Sequence, residues 1–168
     1  MNTNTPNKYE LLIDAVGRND LSAVQGLVQR INVVPDYVLS SAIALNLVDQ
    51  VAVLAPKCHP NTIGQGLRIT IVREVLPVQM FYALLPYTDQ KMRNLAMAEA
   101  CNMRRAEIVD ALYSVCDVPK VLKILDKYSG PHIEAWKTTL QQRLDDEKLR
   151  ETLIAEVSVA PLAATRKL

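Results

Sequence analysis

The sequence predicts an all-α protein of about four stacked helix pairs, followed by a C-terminal capping helix or helix pair. Between Tyr9 and about Tyr128, apolar residues recur at helical spacing in short blocks that end in turn signals, and no long stretch alternates like a strand. Prolines punctuate the blocks at separations of 25, 26 and 33 residues, beside residues able to cap a helix. Punctuation with a period of roughly 20 to 50 residues is typical of stacked repeats. The prolines are Pro35, Pro60, Pro86 and Pro119, and the capping candidates are Asp36, Asn61, Thr88, Asp89 and Asp117.

Each block predicts a helix, a tight turn and an antiparallel second helix. The alanines at Ala15, Ala42 and Ala100 are small enough to let the two helices of a pair approach closely. The second block repeats the first with a shift of 27 residues, from Ala15 to Ala42, whereas the third block, from Ile69 to Leu85, matches less well. One pair cannot cover its own apolar face, so stacking is expected to build the core. The aligned positions are Leu12, Ala15-Val16, Ala23-Val24 and Leu27-Val28 in the first block, Leu39, Ala42-Ile43, Gln50-Val51 and Leu54-Ala55 in the second, and Met97, Ala100-Cys101, Ile108-Val109 and Leu112-Tyr113 in the fourth.

A different pattern begins after Tyr128. Gly130 and Pro131 predict a stop and a restart, and Ile133, Trp136, Leu140 and Leu144 then share one face of a helix. A terminal helix of this kind would cap the open end of a stack, which otherwise exposes its core face. The predicted regions are a disordered N-terminus at 1–8, helical repeats at 9–128, a capping helix region at 131–158 and a flexible tail at 159–168.

At the aligned positions the chain resembles a degenerate ankyrin-repeat protein over about residues 10–125. The family's first-helix leucine, alanine pair and turn correspond here to Leu12, Ala15-Val16 and Asn19-Asp20, and the best match to its second helix is 106–113. Asn or Arg stands where the family's turn has glycine, and the Thr-Pro-Leu-His tetrapeptide is absent. Other helical-hairpin solenoids and an irregular helical bundle remain alternatives.

The resemblance implies a surface that recognises another protein. In ankyrin-like stacks this surface consists of the loop tips between repeats and the exposed face of the first helices. Tyrosine and arginine are also enriched at binding hot spots. For the tyrosines, packing across their own turns is an equally weighted alternative. The matching positions in this chain are Arg18, Asp36, Tyr37, Asn61, Tyr87, Asp89, Arg104 and Arg105.

Composition and charge narrow the function classes. The 168 residues carry 19 Lys and Arg against 18 Asp and Glu, so the net charge of +1 provides no basic field for nucleic acid. Lys120, Lys123 and Lys127 share a helix face, which is read as a solvated face or as a contact for an acidic partner. The polar N-terminus lacks the pattern of a signal peptide, and no apolar stretch approaches the roughly 20 residues of a membrane span. We therefore expect a soluble, cytoplasmic and monomeric protein.

Candidate chemistry is sparse. Cys58-His59 is the one place where a thiol and an imidazole adjoin, but it lies in a predicted loop, and sequence neighbours rarely form a nucleophile and base pair. The three cysteines fit reduced thiols, and with His59 and His132 they do not give zinc-ligand spacing. Gly64-Gln65-Gly66 is a fragment of a phosphate loop and is better explained as a helix start or a turn. No metal and no cofactor are predicted.

The sequence thus favours a non-enzymatic protein-protein interaction module. A small chain with divergent repeats also resembles bacterial or viral effectors, which would place it inside a host cell and on a host protein. The alternative from another class is a cysteine-dependent enzyme or enzyme regulator acting through Cys58.

Overall fold

The computed structural model describes residues 7–73 and 75–159 and consists of helices in those ranges. This confirms the all-α class, since the described residues form no strand beyond one isolated bridge between Val34 and Cys58. Two short 3-10 helices, Ala55–Lys57 and Leu85–Tyr87, follow α4 and α6. The helices are α1 (Lys8–Gly17), α2 (Leu21–Val28), α3 (Asp36–Ala44), α4 (Val48–Leu54), α5 (Pro60–Val72), α6 (Val78–Leu84), α7 (Gln90–Asn102), α8 (Ala106–Tyr113), α9 (Val118–Leu125) and α10 (Pro131–Val159).

The helices form two layers. We call the helices α1, α3, α5, α7 and α9 the first layer, because each of them contacts the next along this series. In the second layer α2 contacts α4 and α4 contacts α6, while α1, α3, α5 and α7 each pack on the helix that follows them in the chain. A buried aliphatic core lies between the layers and contains Phe81, the only phenylalanine of the chain.

Three helix pairs share one turn. Asn19, Asn46 and Arg104 have positive φ values of 55°, 60° and 58°. The residue after each of them donates its backbone N–H to the carbonyl of Ala15, Ala42 or Ala100, over 2.8 to 2.9 Å. This is the hydrogen bond of a Schellman motif, and it satisfies a carbonyl at the helix end. The same three alanines are fully buried. Each therefore accepts the hydrogen bond that closes the turn and also lets the two helices of its pair approach closely.

The third pair is connected differently. Helix α5 ends at Val72, its C-cap residue Arg73 is extended (φ −91°, ψ 100°), and α6 begins only after Pro77 at its N-cap. Residue 74 lies outside the described part of the chain. The longer connection explains why the third block matches the others poorly in sequence.

Polar contacts join successive pairs at both ends of the first layer. The hydroxyl of Thr62 donates to the carboxylate of Asp36, which links the starts of α5 and α3. At the opposite end, Gln50 Nε2 donates to Asn19 Oδ1 over 2.9 Å. Asn94, only 4% exposed, accepts from the backbone N–H of Asp117 over 2.9 Å and so ties α7 to the start of α9. The neighbouring first-layer helices therefore run in the same direction.

The predicted caps are right for two helices and wrong for two others. Asp89 and Asp117 accept the backbone N–H groups of Met92 and Lys120 at the starts of α7 and α9. Asp36 is instead the first residue of α3, after Pro35 at the N-cap. Helix α5 is capped by His59 rather than by Asn61, because the imidazole Nδ1 accepts the backbone N–H of Asn61.

Helix α10 is one continuous helix rather than two joined ones. Ile133 and Leu140 are fully buried, and α10 contacts α7 and α9. Arg143 donates to Asp110 of α8 over 2.6 Å and lies over the ring of Tyr113. Residues 145–155 are all exposed. The first half of α10 therefore covers the end of the layers, and the second half extends past it.

Two predicted boundaries concern the chain ends. Helix α1 begins at Lys8 with Asn7 as its cap, inside the segment 1–8 that was expected to be disordered. The remainder of that segment, 1–6, lies outside the described residues. So does the expected flexible tail, except for residue 159, which ends α10.

Candidate binding surface

One group of predicted site residues lies at the starts of the first-layer helices. Asp36 and Asn61 are exposed at the starts of α3 and α5, and Asp89 caps α7. Tyr37 is 52% exposed and Tyr87 is 41% exposed. These five residues form one rim of the first layer, which we call the start rim. Both tyrosines are therefore partly accessible to solvent on this rim.

The predicted arginines lie at the other end of the same helices. Arg18 follows α1 and pairs with Asp14 over 2.9 Å, while Arg104 occupies the positive-φ position of its turn. Arg105 donates to the backbone carbonyl of Ile71 over 3.0 Å. Helix α7, with 13 residues, separates this turn rim from the start rim by roughly 20 Å. The structure thus divides the predicted site residues into two sets instead of bringing them together.

Between the rims, the exposed sides of α5, α7 and α9 form a surface that we call the open face of the first layer. It contains two grooves that were not predicted from the sequence. The first, of about 480 Å³, runs between α5 and α7 and includes Asn61 of the start rim. Arg68 and Glu99 form an ion pair across it at 3.0 Å, so its charges are balanced. Its other lining residues include Gln65, Met92, Leu95 and Tyr128.

Two glycines allow the helices around the first groove to pack closely. A Cβ added to Gly66 would lie 2.9 Å from Ile43 Cδ1 and 3.2 Å from Leu84 Cδ1. A Cβ added to Gly64 would lie 3.2 Å from the sulfur of Met92 on α7. The Gly64-Gln65-Gly66 fragment is therefore inside α5 and serves helix packing, and it is not a turn.

The second groove, of about 560 Å³, lies between α7 and α9. Its exposed lining is mostly apolar and includes Leu95 and Ile124. Lys91, Lys120 and Lys123 stand around it. Lys120 pairs with Asp117 at 2.8 Å, and the described residues include no ion pair of Lys91 or Lys123. The groove therefore combines an apolar floor with an excess of ammonium groups.

The signal for this second groove was partly present in the sequence. The helix face with Lys120, Lys123 and Lys127 was recognised, but not that α7 presents Lys91 and Leu95 to the same space. That juxtaposition depends on the register between two helices, which Asn94 and the backbone N–H of Asp117 set.

Cys58 is held in a structural contact. Its thiol donates to the carbonyl of Leu54 over 3.3 Å, and the Nδ1 of His59 is occupied by the α5 cap. Burial, with a smaller contribution from the charge of Asp36, raises the pKa of the Cys58 thiol to about 12. A nucleophilic cysteine needs a lowered pKa and an oriented base. None of these contacts activates the thiol.

Metal-ligating side chains are dispersed in the part of the chain that the structure describes. No group of three or more His, Cys, Asp and Glu side chains there could hold a metal ion. Within the same residues, none of the helices has both the length and the apolar character needed to cross a bilayer.

Comparisons of the chain with protein-family models, curated proteins and solved structures give no significant match. The case for function therefore depends on the geometry of the open face.

Proposed function

We propose that this chain is an ankyrin-like helical-repeat protein that acts as a monomer and binds another protein through the open face of its first layer. The turns at Asn19, Asn46 and Arg104 support the repeat assignment, because the same backbone motif recurs at intervals of 27 and 58 residues, close to one and two repeats. Their positive φ values occur where the ankyrin family has glycine.

The observation that carries the binding assignment is the pair of grooves between α5, α7 and α9. Grooves with exposed apolar side chains are typical of surfaces that bind a partner. Leu95 is 48% exposed and stands between the two grooves, and Tyr37 adds an exposed ring on the start rim. Aromatic side chains with a polar tip are enriched among binding hot spots.

The turn rim is not included in the proposed surface. Arg105 is engaged by Ile71 and Arg18 by Asp14. Arg104 is in the left-handed region, which has a conformational cost for residues other than glycine. Two of the three turn arginines thus already have partners within the chain, and only the start rim and the open face are proposed to contact the partner.

A display experiment tests the assignment. The immobilised protein selects binders from a library of random 16-residue peptides on phage, and the enriched peptides are measured against two variants by fluorescence anisotropy. The face variant is Tyr37→Ala/Gln65→Ala/Leu95→Ala, and the matched turn variant is Arg18→Ala/Arg104→Ala/Arg105→Ala. Circular dichroism and urea titration verify that both fold.

We expect the face variant to lose at least about tenfold in affinity, and the turn variant to stay within about twofold. The assignment fails if no peptide is enriched, or if the turn variant loses more affinity than the face variant.

A further inference from the structure

We infer that the groove between α7 and α9 takes an acidic, amphipathic segment of a partner protein, with an apolar side chain on Leu95 and Ile124 and carboxylates toward the surrounding lysines. The inference extends the proposed function, because it names the chemistry of the partner at one part of the open face.

The charge around this groove is the first argument. Three ammonium groups, Lys91, Lys120 and Lys123, face one carboxylate, Asp117, so two positive charges remain in excess. The neighbouring Asp89 caps α7 by accepting the backbone N–H of Met92 over 2.7 Å and keeps its negative charge, and the local charge is still positive when this carboxylate is counted. Because the whole chain has a net charge of only +1, this excess is a local feature of the groove.

The second argument is that the charges of the neighbouring groove are balanced. Between α5 and α7, Arg68 is neutralised by Glu99 at 3.0 Å. An acidic segment would therefore gain little beside Arg68 and more beside Lys91 and Lys123. Because only the groove between α7 and α9 has an excess of positive charge, the acidic residues of the partner should lie on that side of α7.

The floor of the groove is the third argument. Leu95 is 48% exposed, and the accessible lining around Leu95 and Ile124 is mostly apolar. Covering this surface requires an apolar side chain, which neither a free anion nor a phosphate backbone supplies. Charged groups around an apolar floor act on specificity and association rate more than on total affinity. An amphipathic acidic peptide satisfies both parts of the groove.

The test uses the full chain and the enriched peptides described above. Their net charge is compared with that of the unselected library, and their affinity is measured for Lys91→Glu/Lys123→Glu. The matched control, Arg30→Glu/Arg150→Glu, changes the net charge by the same amount at exposed positions outside the groove.

We expect enriched peptides with a net charge of −2 or below and one large apolar residue, estimated from the local charge excess. The groove variant should weaken their binding by about tenfold or more, and the control by less than about threefold. Replacing the peptide's Glu by Lys should restore binding to the groove variant.

Four results would overturn the inference. If the enriched peptides had the average charge of the library, or if both variants lost the same affinity, the open face would still be a binding surface, but its partner would not be an acidic segment. Equal affinity for a 20-residue oligothymidylate would indicate an anion surface without apolar recognition. A dimer of the protein that the groove variant dissociates would show that a second copy occupies the groove.

Discussion

The connections between helices and the open face of the first layer differ in how their side chains are used. In the connections, Arg105 bonds to the carbonyl of Ile71, Asp117 caps α9, and the Cys58 thiol bonds to the carbonyl of Leu54. On the open face and the adjoining start rim, Leu95 and Tyr37 are about half exposed, and Lys91 forms none of the ion pairs found among the described residues. A polar residue in a turn is therefore weak evidence for binding when the backbone already engages it.

The largest expected effect concerns the thiol of Cys58. Near neutral pH, a pKa of about 12 in place of 9.0 lowers its thiolate fraction about a thousandfold. Reaction with a thiol reagent at pH 7 should therefore be slow and accelerate in urea, as measured by mass spectrometry of the labelled peptide. Fast labelling of Cys58 alone in the folded protein would support the cysteine-dependent alternative.

The same shift predicts how stability changes with pH. The folded state raises the pKa above the unfolded value, so it favours the neutral thiol. This stabilisation is complete below pH 9 and is lost as the pH rises toward 12. The free energy of unfolding from urea titration should decrease over that range, and less so in Cys58→Ala.

The next effect tests the buried alanines below the turns. Ala42→Leu adds volume at a fully buried position, and overpacking of this kind costs about 1 to 3 kcal/mol. Ala44→Leu, at an exposed position of the same helix, should change the free energy of unfolding by less than about 0.5 kcal/mol. Equal effects of the two substitutions in urea titration would contradict the close approach at Ala42.

A smaller effect of opposite sign is expected at the turn of the fourth pair. Arg104 has a φ of 58°, so Arg104→Gly would remove most of the left-handed strain. The free energy of unfolding should rise by a net amount of about 0.5 to 1 kcal/mol. Arg104→Ala removes the same side chain but keeps the strain and should give no gain. If thermal and urea unfolding show that the glycine and alanine variants are equally stable, then residue 104 stores no left-handed strain that glycine relieves.

The smallest expected effect on stability is that of Lys91→Glu/Lys123→Glu. A carboxylate in the first turn of α7 interacts favourably with the helix dipole, whereas one in the last turn of α9 interacts unfavourably. The net change in the free energy of unfolding should be below about 0.5 kcal/mol. A large loss of stability would show that these lysines support the fold, and their use in the binding test would then be invalid.

Much of the fold could be predicted from the sequence because periodicity reports local structure. The shift between Ala15 and Ala42 identified the turns at Asn19 and Asn46, and α10 followed from Ile133 and Leu140. The caps at His59 and Pro35 were missed because imidazole is a rare cap and proline has no side-chain acceptor. Composition gave no sign that residue 73 would be extended and lengthen the third connection.

The candidate site was less predictable. Residue types selected Tyr37 and Tyr87 together with Arg104 and Arg105, and only the structure shows that these two sets lie at opposite ends of the first-layer helices. The groove with Lys91 and Lys123 was missed because it forms between helices far apart in the chain. A tertiary register of this kind leaves no local pattern.

Hydrogen exchange with and without a selected peptide tests the central claim most directly. The account predicts that bound peptide slows exchange in α5, α7 and α9, most at the peptide segments covering residues 90–95 and 118–124, and leaves the turns at 17–20, 44–47 and 102–105 unchanged. Protection confined to those turns, with none in α7 and α9, would contradict it.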